Sequence, residues 1–467
     1  MRVPIWDGQL ATQEDRPVFQ HRRFAMSTRL LRIPLTLVFI FVLQSIVAPV
    51  SRADEVLVWN GIAVRSMLVP PAVGGALQPR TLAIVHVAVF DAVNGIERRY
   101  TPIHVEPNAP RGASQRAAAV QAAYTALVLM FPSQTSALDA DLEASLAGIA
   151  GDGALENSES IRRGREWGEQ VAKAIVAWRN LDGATDTLPP WLGGPEIGRW
   201  RPTPRPNPIP GGPELAGLPG AFLALATADP FVLPNPSYYR PAGPPPLASL
   251  QYAEDFNEVK SVGAFASATR TADQTQSAMF WGTGSASIWN RVAVDAARGR
   301  NTTLSQNARL FALLNMAATD SAMAAWDSKA YFEFWRPITA IRLASLDGNP
   351  ATVEQANWTP LLVTPPYPDY ISGNQSLGGS YYAVLTAFFG DDTPVAAYSD
   401  GLGPGVVRSF SNFQGLADDA LNARIWAGIH FRTAMEDTRI TAEKVAAYVL
   451  SHAALPIHGQ RVGQLSK

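Results

Sequence analysis

The chain has 467 residues, of which 47% are hydrophobic and 17% are charged. This length and balance predict a globular protein with a substantial core and exclude a disordered chain. The net charge of −2 offers no basic field for nucleic acid, and the absence of cysteine excludes disulfides, thiolate metal sites and cysteine nucleophiles.

The N-terminal segment has the features of an export signal. Residues 33–50 form an uncharged apolar run preceded by two arginines, and small residues at Ser51 and Ala53 suit a signal-peptidase site. We therefore predict a signal peptide over residues 1–53, with Met26 as the true start, and a periplasmic or secreted protein. An uncleaved anchor is the alternative, and we expect no membrane span beyond this segment.

Helical periodicity dominates the rest of the chain. Apolar residues recur at three- and four-residue steps, which predicts helices over residues 79–96, 113–130, 133–149 and 158–178. A further long helix follows Thr303, which fits a capping box with Gln306, and another spans Leu377 to Phe389. Strand patterns are scarce, so we predict an all-α fold.

The region between these two sets of helices has a different composition. Prolines and glycines are dense over residues 182–250 and prevent regular helices there. Trp191 and Trp200 favour a loop packed on a surface over a flexible linker. The predicted organisation is a helical region at 54–181, a Pro/Gly-rich loop region at 182–250 and a C-terminal helical domain at 251–467.

Three short motifs in the C-terminal domain carry chemically informative residues. They are Lys329 with Arg336-Pro337, the turn Ser372-Gly373-Asn374, and Arg424 with His430. A tetrahedral oxyanion such as phosphate or vanadate needs several cations together with N–H or O–H donors. A neutral imidazole can act on its central atom as nucleophile or ligand. The motifs therefore predict an oxyanion pocket.

The first motif places a tryptophan and a lysine on one helix face. Trp326 and Lys329 are three residues apart, so we expect the indole to form a wall of the pocket beside the ammonium group. A solvated lysine beside a core tryptophan is the alternative for this pair taken alone. Arg336 precedes a proline, which ends the helix and leaves the guanidinium free to bind an oxyanion through two N–H groups.

The second motif lies at a predicted helix N-terminus, where free N–H groups and the helix dipole favour an anion. Gly373 lets the backbone approach a ligand closely, and Ser372 adds a hydroxyl donor. A plain N-cap role is the alternative for Asn374.

The third motif separates its two basic residues by six positions. On an unbroken helix Arg424 and His430 would point about 120° apart. Gly428 lies between them, and we expect it to break the helix so that both side chains face one centre.

The three motifs together resemble the superfamily that unites vanadium-dependent haloperoxidases with type 2 phosphatidic acid phosphatases, and in particular its bacterial haloperoxidase-like branch. The family pattern is K-x6-R-P, P-S-G-H and S-R-x5-H-x3-D, and the matching segments here are KAYFEFWRP, ISGN and ARIWAGIHFRTA. The departures are Ile371 for proline, Asn374 for histidine, Ala423 for serine and Ala434 for aspartate.

The resemblance implies helical bundles of the haloperoxidase and acid phosphatase type and a vanadate cofactor. His430 would be the axial ligand of vanadate or, in a phosphatase, the nucleophile that forms a phosphohistidine. The residues that would hold the oxyanion are Lys329, Arg336, Ser372, Gly373 and Arg424.

Asn374 replaces the family histidine that exchanges protons with the apical oxygen. Asparagine can hydrogen-bond there but cannot titrate, and general acid–base help is typically worth about 10²–10⁴-fold. Asp369 is the nearest carboxylate on the same loop and is the candidate substitute acid. Ala434 leaves His430 without the orienting aspartate of the family. The candidates for that role are Glu436 and Asp437.

Three functions remain open from the sequence. The leading hypothesis is an exported, vanadate-binding haloperoxidase-like enzyme that oxidises halide with hydrogen peroxide, with activity reduced by Asn374. The second is an acid phosphatase that acts through a phosphohistidine at His430 on a phosphate ester. The third is a non-catalytic oxyanion-binding protein. Each has small-molecule partners and none involves nucleic acid; the oligomeric state is not predicted.

Overall fold

The computed structural model describes residues 54–457 with five short gaps. The gaps are residues 153–155, 210–211, 283, 400–401 and 403–404. The described residues belong to one compact unit. The predicted signal segment and the Met26 start lie outside the described residues. Within the described part, no helix has both the length and the apolar character needed to cross a bilayer.

Helices form nearly all of the regular structure, which confirms the predicted all-α class. The helices are α1 (Glu55–Leu68), α2 (Gln78–Glu97), α3 (Gln115–Met130), α4 (Thr135–Gly151), α5 (Ser158–Arg179), α6 (Leu250–Val262), α7 (Ala272–Phe280), α8 (Ser285–Gly299), α9 (Leu304–Phe332), α10 (Pro337–Arg342), α11 (Gly373–Phe389), α12 (Phe413–Trp426) and α13 (Arg432–His452). Strands β1 (Val395–Tyr398) and β2 (Val407–Phe410) form a small antiparallel hairpin.

The helix boundaries follow local sequence signals. The predicted capping box is present: Thr303 accepts a hydrogen bond from the Gln306 amide, and the Gln306 side chain accepts one from the Thr303 amide. α11 ends before Gly390, as predicted, but begins at Gly373 and not at Leu377. The helix starts earlier because Ser372 caps it. The sequence did not predict this start because the first turn is polar and has no apolar periodicity.

Helix α9 is the central element of the molecule. Every residue from Ser305 to Lys329 is buried except Gln306, and α9 packs against α2, α11 and α13. Burial on all faces is characteristic of a core helix. The many alanines of α9 permit this, because small side chains let the neighbouring helices approach closely.

The Pro/Gly-rich region packs over the C-terminal end of α9, which confirms that it is not a free linker. Trp200 is fully buried, and its amide donates to the carbonyl oxygen of Glu333 at 2.6 Å. The indole of Trp191 donates to the Glu333 carboxylate at 2.6 Å. The ring of Phe222 meets Trp326 edge-on at 5.7 Å, so this region closes one side of the predicted pocket.

Candidate oxyanion-binding site

The predicted residues come from the ends of four helices and the loops between them. Lys329 lies near the end of α9, Arg336 precedes α10, Ser372 caps α11, Arg424 lies in the last turn of α12, and His430 lies between α12 and α13. Backbone contacts join these ends. The Asp369 amide donates to the Phe334 carbonyl at 2.9 Å, and the Ser372 amide donates to the Thr438 hydroxyl at 2.7 Å.

Lys329 is fully buried. Its ammonium group donates to the carbonyl oxygens of Pro368 at 2.6 Å and Asp369 at 3.0 Å. Burial, and then the charge of Arg336, lower the pKa of Lys329 well below its ordinary value, and Asp369 opposes this. The contacts orient the lysine toward the loop that leads into α11, so it is not a solvated surface lysine.

Arg336 is also fully buried and has extended backbone geometry before its proline. Helix α9 already ends at Phe332, four residues before Arg336, where the proline alone predicted its end. Nε of Arg336 donates to the Tyr367 carbonyl at 2.8 Å, and Nη1 of Arg336 donates to the Ile429 carbonyl at 2.6 Å. Nη1 also lies 3.0 Å from Nε2 of His430.

His430 faces the same centre as Arg336 because α12 ends before it. The helix stops at Trp426, and Gly428 adopts a positive φ of 77°, which confirms the predicted break. Burial, and then the charges of Arg336, Lys329 and Arg424, lower the pKa of His430 well below its ordinary value. The imidazole is therefore neutral at physiological pH, the form needed for a nucleophile or ligand.

Arg424 is the third buried cation. Its Nη1 donates to the carbonyl oxygen of Trp281 at 2.9 Å. Burial lowers the pKa of Arg424 to about 10, and the charge of Arg336 acts in the same direction. Arg424 thus remains protonated at neutral pH, close enough to Arg336 for the two charges to repel.

The N-terminus of α11 completes the cage. Ser372 is its N-cap, with its hydroxyl accepting from the Gln375 amide at 3.3 Å, so a simple N-cap role for Asn374 is wrong. A Cβ on Gly373 would stand 2.7 Å from the Trp326 ring, which explains glycine there and places the indole on the pocket wall. Asn374 is half-buried on the first turn, and its Oδ1 has no hydrogen-bond partner within the described residues.

Asp369 brings a carboxylate into this cationic cage. It is fully buried, with Oδ1 2.8 Å from Nδ1 of His430 and 3.6 Å from Nη1 of Arg336. Neither oxygen has a well-directed hydrogen bond from a described residue. Burial raises the pKa of Asp369 to about 7, although the charges of Arg336 and Lys329 oppose the rise.

The other carboxylates suggested for His430 are engaged elsewhere. Asp437 accepts a hydrogen bond from the Tyr370 hydroxyl at 2.6 Å. Glu436 lies 3.5 Å from the guanidinium of Arg432 and is largely exposed. The carboxylate that lies next to Nδ1 of His430 is that of Asp369.

Sequence reasoning missed two residues that shape the site. The ring of Tyr367 lies 5.0 Å from both the Lys329 ammonium and the Arg336 guanidinium, which is cation–π range. Thr438 anchors the Ser372 amide from α13. Tyr367 lies two residues before Asp369, in the proline-rich segment that leads to Ser372, and an aromatic residue there could have indicated a role in the site. Nothing in the sequence indicated a role for Thr438.

The residues present fit a tetrahedral oxyanion. Nη2 of Arg336 and Nε of Arg424 are buried donors without a hydrogen-bond partner among the described residues, and buried donors of this kind are costly unless a ligand satisfies them. Over the same residues, no group of three or more histidines and carboxylates could hold a metal cation. The donor set suits an anion such as vanadate or phosphate.

A neutral histidine and three buried cations lie together at a helix N-terminus inside an all-helical fold, an arrangement suited to binding an oxyanion. Residues 309–459 match the VCPO second helical-bundle domain. The resemblance of the chain to the vanadium haloperoxidases is therefore confirmed.

Comparisons with individual proteins agree with this assignment. The vanadium chloroperoxidase of Curvularia inaequalis is 33% identical over 91 residues, which cover 18% of this chain and only 14% of that protein. A bacterial vanadium-dependent iodoperoxidase has a similar structure, with a TM-score of 0.70 and 24% identity over 87% of this chain and 98% of that one. A bacterial vanadium-dependent chloroperoxidase in its holo form gives a TM-score of 0.63 and 17% identity over 84% and 94%. These structural likenesses establish the fold.

Proposed function

We propose that this protein is an exported haloperoxidase-like oxidoreductase that binds vanadate and oxidises halide with hydrogen peroxide. The observation that carries the proposal is the convergence of Lys329, Arg336 and Arg424 on a neutral His430, with unpaired buried N–H groups on both arginines. The domain match and the haloperoxidase fold support it. Export is supported by the apolar run at residues 33–50 and the small residues that follow it.

Each residue of the cage has a proposed task. Lys329, Arg336 and Arg424 neutralise the oxyanion, while Ser372 and the backbone at Gly373 add donors at the α11 N-terminus. His430 would hold the group through a ring nitrogen. Bound vanadate would supply Lewis-acid activation of hydrogen peroxide for attack by halide. The half-buried amide of Asn374 can hold an oxygen in place but cannot exchange its proton.

An acid phosphatase is the second candidate, and one contact favours it. The Asp369 carboxylate beside Nδ1 of His430 is the arrangement that makes the opposite ring nitrogen a better nucleophile. In that case a phosphate ester would be the substrate, a phosphohistidine would form at His430, and vanadate would be an inhibitor.

A paired assay on the full chain tests both functions. Peroxide-dependent bromination of a dye is followed with added orthovanadate, and hydrolysis of an aryl phosphate is followed without it. We expect vanadate-dependent bromination. Vanadate-inhibited hydrolysis without bromination would replace the haloperoxidase by the phosphatase, and vanadate binding with neither activity would indicate a non-catalytic oxyanion-binding protein.

His430→Ala identifies the ligand in the same experiment. We expect vanadate affinity to fall by more than the roughly 100-fold that loss of an outer-shell partner can cause, with the helical circular dichroism unchanged. His452→Ala is the matched control, because this histidine is exposed and stacks on Tyr448 away from the site. Tight vanadate binding by His430→Ala would refute the assignment.

A further inference from the structure

Asp369 and Arg336 both contact the imidazole of His430, and they lie next to each other. Oδ1 of Asp369 is 2.8 Å from Nδ1 of His430, within hydrogen-bond distance although not aligned as a formed hydrogen bond. Nη1 of Arg336 is 3.0 Å from Nε2, 3.4 Å from Nδ1 and 3.6 Å from the same Asp369 oxygen. The imidazole, the carboxylate and the guanidinium thus form one fully buried cluster.

These two neighbours select one neutral form of the ring. A guanidinium can only donate hydrogen bonds, and the Asp369 carboxylate, once ionised above its pKa of about 7, can only accept them. The favourable arrangement therefore has the ring proton on Nδ1, toward Asp369, and the lone pair on Nε2. A lone pair on Nε2 is what a bond from His430 to an oxyanion's central atom requires.

The backbone around Asp369 fixes the position of its carboxylate. The Asp369 amide donates to the Phe334 carbonyl at 2.9 Å, and its carbonyl accepts from the Lys329 ammonium at 3.0 Å. The residue is thereby tied to the α9–α10 connection on one side and to α9 on the other. Such anchoring is what an orienting partner needs, because a mobile carboxylate would not hold the ring.

We propose that Asp369 is the positioning residue for His430, doing from the loop before α11 what Ala434 cannot do from α13. The carboxylate favours the Nδ1–H form of the ring and so keeps the lone pair on Nε2, where the oxyanion would bind. This role differs from that of a substitute acid for Asn374, since the contact is with the histidine. The inference deepens the proposed function, because it concerns the same site.

The same carboxylate has a second, opposite effect. It adds one negative charge to a cage whose three cations must attract an anion, so it weakens purely ionic binding. Sulfate is a tetrahedral anion that interacts through charge and hydrogen bonds, whereas vanadate also bonds to the imidazole nitrogen. The two anions therefore separate the electrostatic effect of Asp369 from its orienting effect.

Asp369→Asn in the full chain tests this separation by calorimetric titration with sulfate and orthovanadate. We expect sulfate affinity to rise about tenfold on loss of the charge. We expect vanadate affinity relative to sulfate to fall by roughly 10–100-fold on loss of the orienting partner. Asp437→Asn is the matched control, because its carboxylate binds Tyr370, and it should leave both values unchanged. An unchanged ratio in Asp369→Asn would overturn the proposal.

A measurement on the unaltered protein keeps the inference testable if the variant does not fold. Nitrogen-15 NMR of the histidine-labelled full chain without added anion, at a pH well above 7 where Asp369 is ionised, reports which ring nitrogen of His430 carries the proton, with His430→Gln assigning the signal. We expect protonated Nδ1, and protonated Nε2 would overturn the proposal. This result stands apart from the proposed function, which fails instead if the wild-type protein binds neither sulfate nor vanadate.

Discussion

Asn374 lies on the first turn of α11, half-buried, with an Oδ1 atom that no described residue satisfies. Its amide is suited to holding an oxygen atom of a bound anion, and it has no proton to exchange near neutral pH. The cations around it are intact. The pocket therefore separates two properties that a histidine at this position would combine, namely binding and proton transfer.

Asn374→His should restore proton transfer without altering the cage. We expect turnover with vanadate, peroxide and bromide to rise by up to about 10²–10⁴-fold, the usual worth of general acid–base help, while vanadate affinity changes by less than about threefold. Asn374→Gln is the matched control, because it keeps the amide and cannot titrate. Steady-state kinetics at several pH values would decide it: equal rates for both variants would mean that another group already transfers the proton.

Asp369 shows what sequence separation can and cannot predict about single residues. Its proximity to the pocket was predictable, because it lies in the loop that leads to Ser372. Its partner was not predictable, since the short loop between Asp369 and the start of α11 does not fix the direction of a side chain. The structure directs the carboxylate to His430 because Lys329 and Phe334 hold the Asp369 backbone.

The connection between α12 and α13 sets the geometry of the third motif at the scale of elements. Gly428 has a φ of 77°, and a Cβ there would overlap the carbonyl oxygen of Gly263, which accepts a hydrogen bond from the Leu361 amide. Glycine is required at position 428 for two reasons, the positive backbone angle and the close approach of the Gly263 carbonyl oxygen. The sequence predicted the break from the position of Gly428, but not its packing partner, which lies 165 positions away in the chain.

Gly428→Ala should therefore cost more than backbone strain alone. We expect the free energy of unfolding to fall by about 2–5 kcal/mol, from about 1–2 kcal/mol of left-handed strain and the added overlap, and vanadate affinity to fall with the displacement of His430. Gly348→Ala is the matched control: its φ is 76°, and no atom lies within 4 Å of its added Cβ. It should lose only about 1–2 kcal/mol. Equal losses in chemical denaturation would show that the contact with Gly263 is unimportant.

At the scale of the whole molecule, two buried aspartates on core helices anchor loops through hydrogen bonds. Asp320 on α9 accepts hydrogen bonds from the successive amides of Phe231, Val232 and Leu233 at 2.6–3.0 Å. Asp91 on α2 does the same for the three amides of residues 103–105. The first of these anchors residues 231–233 of the Pro/Gly-rich region, whose packing was predictable from its tryptophans. The anchor itself was not predictable, because an aspartate within a helix usually indicates an exposed position.

These aspartates predict how stability depends on pH. Burial raises the pKa of Asp320 and that of Asp91 from 3.8 to about 6, although the backbone N–H groups oppose the rise. A carboxyl whose pKa is higher in the folded state binds more protons when folded. Its contribution to the free energy of unfolding is therefore greatest below pH 3.8 and is lost as the pH rises through 6. Between pH 7 and pH 5 each group should add on the order of 1 kcal/mol.

Asp320→Asn should flatten this dependence while lowering stability overall. The amide cannot titrate, so the gain on acidification from pH 7 to pH 5 should shrink by on the order of 1 kcal/mol relative to wild type. The single acceptor oxygen of the amide also leaves fewer acceptors for three backbone amides, which lowers the free energy of unfolding at both pH values.

Asp91→Asn should have the same two effects. The losses of pH dependence in the two variants should add, because the aspartates anchor different loops through separate partners. Urea denaturation of the single and double variants at both pH values measures this. An unaltered pH dependence in the double variant would mean that other groups determine it.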